Sequence, residues 1–155
     1  MARYESKIKI VNALQESVYN RFADLSTLQA MKDNMPAEMK QQIKAKLEEQ
    51  GQGKVQVSNF MFDVDTARFK VNGMDACIRI VEREEPKCVK FSADNSPVPV
   101  TIWIQMLPES AYQTKIRVTM DVDIPFYLRP MVGNKLEGAA DMIAEALTKI
   151  PYNSI

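Results

Sequence analysis

The sequence contains no histidine, and this absence excludes more functions than any residue that is present. Ser-His-Asp and Cys-His catalysis both use an imidazole as the general base, and most zinc sites include a histidine ligand. Any acid–base chemistry would therefore depend on carboxylates, lysine, tyrosine or cysteine.

The sequence also lacks an excess of either charge, because Lys plus Arg and Asp plus Glu both total 20. Nucleic acid and anionic membranes bind basic surfaces, and nothing in this balance predicts one. No apolar run approaches the length of about 18 residues that stable membrane insertion needs. The opening residues lack the basic-then-apolar layout of a secretory signal. These absences predict a cytoplasmic protein that does not bind nucleic acid.

Cysteine is scarce as well, with only Cys77 and Cys88. Two cysteines are too few for a disulfide framework. A hairpin turn is expected near Pro86, and it would keep the two thiols at different heights on neighbouring strands. We expect both to be unpaired and buried in strands.

The length and the composition of the sequence fit one globular domain. The chain has 155 residues, of which 46% are hydrophobic and 26% charged. A chain of this length buries about two-thirds of its unfolded surface. We therefore expect a single domain over residues 1–155.

The first 50 residues predict one strand followed by helices. Residues 3–11 alternate in polarity, which predicts a half-buried strand with Ile8 and Ile10 on its inner face. A break is expected near Asp24–Ser26, because these side chains can cap helices, so the next segment predicts two short helices. Their shared apolar stripe is Val18, Phe22, Leu25, Leu28 and Met31.

A further helix is predicted between Ala37 and Gln50, directly after Pro36. Its apolar stripe is narrow and consists of Met39, Ile43 and Leu47. The other positions are almost all polar, so this helix is expected on the surface as a lid or an interaction surface.

From residue 55 to residue 124 the hydrophobic period changes to two, which predicts strands. Turn residues separate them, and Asn72–Gly73 is the strongest short hairpin signal. Short links between successive strands predict an antiparallel meander, which the first strand completes. The predicted strands are 55–62, 67–71, 74–84, 87–93, 100–107 and 112–124.

The last two strands leave a choice of register. If residues 108–111 form a four-residue loop, Trp103 lies opposite Ile116 and faces the interior, with Gln105 as a polar group beside it. A loop longer or shorter by one residue reverses the faces. The inward residues would then be Ile102, Ile104 and Met106. We favour the interpretation with Trp103 inward.

The end of the chain predicts a long helix over residues 131–150 with a wide apolar face. Beside that face lies a second patch formed by Met131, Gly138 and Met142. A glycine inside a helix lowers the stability of the helix by about 1 kcal/mol relative to alanine, so the presence of Gly133 and Gly138 calls for explanations. Two are available: close packing of the helix on the sheet, or space for a ligand, to which flexible methionines adapt well.

This order of elements resembles the START-like, or SRPBCC, superfamily, the helix-grip fold of the birch-pollen-allergen type. The resemblance covers nearly all 155 residues, and three stretches carry it: ESVYNRFADLSTLQ, IRIVEREEPKCVKF and SPVPVTIWIQMLP. The third is similar to small bacterial members of unassigned function. The resemblance implies an α+β fold with two short helices after strand 1. Its curved seven-stranded antiparallel sheet would wrap around the long C-terminal helix and enclose a hydrophobic cavity.

The function expected on this basis is binding of a small lipid-, sterol- or polyketide-like molecule between the C-terminal helix and the sheet. No cofactor is expected. The proposed lining consists of Phe60, Phe62, Phe69, Ile78, Phe91, Trp103, Ile116, Val118, Met131, Gly138 and Met142.

Two other functions stay open. One is a polyketide cyclase- or aromatase-like enzyme, which would need polar groups aimed into the cavity, and the tyrosines at positions 4, 112, 127 and 152 are candidates. The other is a protein-interaction module acting through residues 37–50, and a homodimer also stays open.

Asp63 with Asp65 and Asp121 with Asp123 form paired carboxylates, but turn and solvent-facing positions explain them without a metal. Binding without chemistry is favoured.

Overall fold

The computed structural model describes residues 2–50, 57–71, 73–94, 99–128, 138–150 and 152. The strands in these ranges are β1 (Ala2–Glu5), β2 (Lys9–Val11), β3 (Val57–Phe62), β4 (Thr66–Val71), β5 (Met74–Glu84), β6 (Cys88–Ala93), β7 (Val100–Ser110) and β8 (Gln113–Val122). The helices are α1 (Gln15–Ala23), α2 (Ser26–Asn34), α3 (Ala37–Gln50) and α4 (Ala139–Leu147), with a short 3-10 helix at Phe126–Leu128. None of these helices is long and apolar enough to cross a membrane.

The strands form a single antiparallel sheet in the order β1-β8-β7-β6-β5-β4-β3, and β2 also pairs with β8. Strands β3 to β8 follow one another as a meander, since each link between them is short. The predicted α+β class and the large antiparallel sheet are confirmed. One edge of the sheet is formed by β1 and β2, and the other edge by β3.

A β-bulge divides the predicted first strand into β1 and β2. Glu5 pairs with Thr119 and Lys9 pairs with Ile116, so four steps on one strand oppose three on β8. The extra residue lies next to Ser6, whose hydroxyl accepts a hydrogen bond of 2.9 Å from a β8 amide. Because the side-chain period of a strand is two, one inserted residue exchanges the faces of everything after it.

The predicted inner face of residues 3–11 is therefore wrong after the bulge. Ile8 and Ile10 are 59% and 45% exposed, whereas Val11 is buried in the core. Before the bulge the prediction agrees with the structure, because Ser6 is buried and Tyr4 packs against the core.

The two short helices occur where the apolar spacing predicts them. In α1 the buried residues are Val18, Tyr19 and Phe22, which pack towards β6, β7 and β8. The break between α1 and α2 is set by Asp24, whose Oδ1 accepts hydrogen bonds from the amide and the hydroxyl of Ser26. A carboxylate that bonds its own neighbouring backbone competes with helix formation, so the helix ends there.

The sheet and α4 pack closely against each other. Ala140 and Ala144 are fully buried, and α4 contacts β8 and β1. Small side chains let the helix backbone approach the sheet, where Ile116 and Val118 are also fully buried. The helix is further held by Lys9, whose ammonium lies 3.2 Å from a carboxylate oxygen of Glu145.

The predicted helix over residues 131–150 is wrong at Gly138. This residue has a φ of +85°, in the left-handed region, and the described helix begins at Ala139. A right-handed helix cannot continue through such a residue, and glycine is the residue that adopts it without strain. A Cβ added at Gly138 would meet nothing within 4 Å, so close packing does not explain this glycine either. Residues 131–137, including Gly133 and Met131, lie outside the described residues.

Candidate functional site

A groove of about 700 Å³ lies at the end of the sheet formed by β3, β4 and β5, next to α2. Its apolar lining includes Phe60, Met61, Phe69, Ala76 and Cys77. The volume falls within the range of about 300–1,000 Å³ that is typical of small-molecule sites.

Three phenylalanines form a stacked cluster at this groove. The ring centroids of Phe60 and Phe69 are 5.4 Å apart, and those of Phe60 and Phe62 are 5.9 Å apart. A bulge in β3 sets this arrangement, because the residues from Ser58 to Met61 oppose one fewer residue on β4. Asn59 takes the left-handed conformation that the bulge requires, with a φ of +58°, and asparagine tolerates it better than most residues.

Helix α2 covers the free edge of β3, beside the groove. The Lys32 ammonium donates a hydrogen bond to the Phe60 carbonyl. The Gln29 side-chain oxygen accepts one of 2.9 Å from the amide of Phe62. These bonds pair backbone groups of β3, which has no neighbouring strand on this side among the described strands.

The charged residues around the groove are unevenly paired. Asp94 accepts a hydrogen bond of 2.9 Å from the guanidinium of Arg79, and Asp75 lies 4.0 Å from the ammonium of Lys70. Lys32 and Arg68 also line the groove. Among the described residues, no carboxylate lies within 4.0 Å of either of these two cations. Lys32 is therefore an uncompensated positive charge where α2 meets the sheet.

The predicted lining residues occupy several places in the structure. Phe60 and Phe69 line the groove, and Phe62 and Ile78 are half-buried at the border of the core. Deeper in that core, Phe91, Ile116 and Val118 are all buried. Gly138 precedes α4, Met142 is half-buried on α4, and Met131 lies outside the described residues.

The structure places Trp103 on the opposite face of the sheet, contrary to the prediction. It pairs with Thr119 rather than Ile116, and its neighbours Ile104 and Met106 are the buried residues. The β7–β8 hairpin is longer than predicted, and a bulge between Pro108 and Ser110 shifts its register. The shift is an odd number of residues, so inward and outward positions exchange.

On the outer face, Trp103 is covered by two cations. The Arg3 guanidinium and the Lys90 ammonium each lie 5.5 Å from the ring centroid. Arg3 also donates two hydrogen bonds, of 2.7 and 2.9 Å, to Asp121. These bonds hold the pKa of the Asp121 carboxyl below its usual value. This arrangement ties β1 to the sheet from outside.

The four candidate tyrosines do not converge on the groove. Tyr112 and Tyr127 are exposed, and Tyr4 packs half-buried against the core. Tyr152 is buried and donates a hydrogen bond of 2.7 Å to the Leu147 carbonyl, and its burial raises the pKa of the phenol strongly.

The carboxylates of Asp63 and Asp65, the first predicted pair, are engaged with protein groups. Asp63 accepts a hydrogen bond from the Thr66 hydroxyl, and Asp65 lies 2.5 Å from the Arg83 guanidinium. Among the described residues, no group of three or more histidine, cysteine, aspartate or glutamate side chains is placed to hold a metal ion.

The two cysteines are unpaired, as predicted, and both are half-buried. Burial raises the pKa of the Cys88 thiol. Of the predicted surface stripe on α3, Met39 is half-buried, and the side chains of Ile43 and Leu47 lie outside the described part of the chain.

Sequence reasoning missed Lys32, Arg68, Ala76 and Cys77 as groove residues. The alternation of β4 and β5 indicates that these strands are half-buried. No sequence pattern indicates that α2 packs against β3, and this tertiary contact is what brings Lys32 to the groove.

Comparison with known proteins yields similarity of structure only. No protein-family model matches the sequence, and no curated protein matches it significantly. A structure of norcoclaurine synthase from Thalictrum flavum in complex with dopamine and hydroxybenzaldehyde is similar with a TM-score of 0.66 and 10% identity, over 99% of this chain and 88% of that chain.

Two bacterial structures are similar over almost the whole of both chains. A START superfamily protein from Mycobacterium smegmatis has a TM-score of 0.57 and 13% identity, and the match covers 94% of each chain. A conserved protein from Geobacillus kaustophilus has a TM-score of 0.55 and 13% identity, covering 96% of this chain and 95% of that chain. Identities this low show the fold alone. With a meandering sheet and helices inserted between β2 and β3, the chain has a START-like (SRPBCC) fold.

Proposed function

We propose that the chain binds a small apolar molecule in the groove between α2 and strands β3–β5. The observation that carries the proposal is the stacked cluster of Phe60, Phe62 and Phe69 beside a groove of about 700 Å³. Aromatic side chains that face open space at a concave surface are typical of ligand sites.

The location differs from the one expected from the sequence. Beneath α4 the described residues are closely packed, since Ala140 and Ala144 are fully buried. A groove lies at the opposite end of the sheet, where α2 and β3 meet. Of the predicted lining, Phe60 and Phe69 border this space directly.

The physical basis of affinity would be apolar contact and ring stacking. Each 100 Å² of apolar ligand surface removed from water contributes about 2.5 kcal/mol. A stacked aromatic pair adds about 0.5–1.5 kcal/mol beyond the area term. The structure of norcoclaurine synthase with dopamine and hydroxybenzaldehyde supports a ligand of aromatic type, because it shows a similar fold holding two such molecules.

Binding without chemistry is the function that the groove supports best. A catalytic acid or base needs a titratable group directed at the ligand. Asp75 and Asp94, the acids that line the groove, already face Lys70 and Arg79. The Lys32 ammonium donates to the Phe60 carbonyl and the Cys77 thiol to the Ile78 carbonyl, so neither group is a free base.

The test is a fluorescence titration with N-phenyl-1-naphthylamine, a neutral aromatic probe that brightens in apolar surroundings. We expect saturable binding at one site per chain. Phe60→Ala and Phe69→Ala should each weaken it by about tenfold, because each removes a stacking surface of the site.

The matched control is Phe126→Ala, which removes an equally large ring that is exposed outside the groove. It should leave the affinity unchanged. Absence of saturable binding to the wild-type chain, or equal affinities for all three variants, would contradict the proposal. Native mass spectrometry of gently purified protein gives an independent readout, as a bound small molecule adds a discrete mass.

A further inference from the structure

We infer that the ligand carries an anionic group, a carboxylate or a chemically similar oxyanion, which Lys32 receives at the rim of the groove. This inference rests on the proposed function, because it describes the polar end of a molecule whose apolar body lies against Phe60 and Phe69. It assigns to α2 a role in selecting the ligand.

The position of the Lys32 ammonium is fixed by the backbone of β3. The ammonium donates a hydrogen bond to the Phe60 carbonyl, which belongs to the residue whose ring stacks on Phe69. A lysine ammonium has three donors, and the carbonyl uses one. The remaining donors are available at the border between the aromatic surface and solvent, since the Lys32 side chain lines the groove.

The charge of the rim favours an anion. Of the five charged residues that line the groove, three are cations and two are acids. Both acids have a cation beside them: Arg79 for Asp94 and Lys70 for Asp75. Among the described residues, no acid lies within ion-pair distance of Lys32 or Arg68. An anion entering here would therefore meet positive charge that is not already compensated.

An anion at this place would gain directional bonds as well as attraction between charges. Hydrogen bonds between ionised partners are shorter and about twice as strong as neutral ones. A ligand cation of the same shape would instead be repelled by Lys32. The rim would thus discriminate between molecules with the same apolar body and different polar ends.

Two fluorescent probes that differ by a single group provide the test. 8-Anilinonaphthalene-1-sulfonate has the body of N-phenyl-1-naphthylamine and an added sulfonate, which supplies the anionic group. Lys32→Met removes the ammonium and keeps an unbranched apolar side chain. It should weaken binding of the sulfonate probe by about five- to tenfold and change that of the neutral probe by less than twofold.

Two further variants separate charge from structure. Lys32→Arg keeps a donor and a positive charge, so it should retain most of the affinity for the sulfonate probe. Lys87→Met removes an exposed lysine in the β5–β6 turn, outside the groove, and should affect neither probe. Raising the salt concentration should weaken the sulfonate probe more in the wild type than in Lys32→Met.

The outcomes distinguish this inference from the proposed function. If the wild-type chain binds neither probe, the proposed function itself fails. If it binds the neutral probe while Lys32→Met leaves binding of the sulfonate probe unaffected, the proposed function stands. Only the inference that the ligand carries an anionic group is then refuted. Equal weakening of both probes would show that Lys32 merely holds α2 on β3, and this would also overturn the inference.

Discussion

The two ends of the sheet are covered in different ways. At the β1–β8 end, α4 contacts β8 and β1, and Ala140 and Ala144 on its contact face are fully buried. At the β3–β5 end, two polar side chains of α2 reach backbone groups of β3, and a groove lies beside it. Small residues close one end and aromatic residues border the other. Among the described residues, the helices thus pack closely on the sheet at one end and leave a groove beside it at the other.

The comparison predicts a large penalty for added volume at the closed end. Ala144→Leu should lower the free energy of unfolding by about 2–3 kcal/mol, because the fully buried Ala144 has no space for a larger side chain. Urea unfolding followed by circular dichroism measures the change. A loss below about 0.5 kcal/mol would mean that α4 can move away from the sheet at little cost.

The same added volume at the open end should be tolerated. Ala76 pairs with Phe69 and lines the groove, so a larger side chain there would extend into open space. Ala76→Leu should cost less than about 1 kcal/mol of stability. It should also weaken binding of N-phenyl-1-naphthylamine by about fivefold, because it occupies part of the groove. Stability loss equal to that of Ala144→Leu would remove the distinction between the two ends.

The smallest predicted effect concerns the ion pairs on the outer surface, one at each end. At the closed end the hydrogen bonds from Arg3 lower the pKa of Asp121 from its ordinary value of 3.8. A depressed folded-state pKa contributes stability that is complete above the unfolded pKa and is lost as the pH falls through the folded pKa. Asp121→Asn should therefore be less stable than the wild type at pH 7, and the difference should shrink below about pH 4.

At the open end, Asp75→Asn is the matched control. The Lys70–Asp75 pair is 4.0 Å long, and Asp75 is almost fully exposed, so its removal should leave the urea midpoint unchanged at every pH. Measuring urea midpoints between pH 7 and pH 2.5 tests both variants. A difference for Asp121→Asn that persists at pH 2.5 would show that its charge is not the cause.

Element types and most boundaries could be predicted from the sequence because local chemistry determines them. Asp24 and Ser26 bond each other and end α1, as their capping ability indicates. Pro86 lies in the turn between β5 and β6, and the strands on both sides occur within one residue of the predicted limits. In each of these places the deciding interaction is between residues close in sequence.

The faces of two segments could not be predicted because single inserted residues decide them. The bulge near Ser6 exposes Ile8 and Ile10, and the bulge after Pro108 turns Trp103 outward. Each bulge is a property of the pairing between two strands, which periodicity within one strand does not reveal. The candidate site is missed for a related reason, since the contact of Lys32 with the Phe60 carbonyl joins residues 28 positions apart.

The bonds from α2 to β3 have a consequence for self-association. An exposed edge strand offers unpaired amides and carbonyls, onto which another chain can add its own strand and begin a fibril. Here the Phe60 carbonyl and the Phe62 amide are already occupied by Lys32 and Gln29, and the Val64 carbonyl accepts a bond from the Leu25 amide. Helix α2, which borders the groove, therefore also protects the β3 edge of the sheet against aggregation.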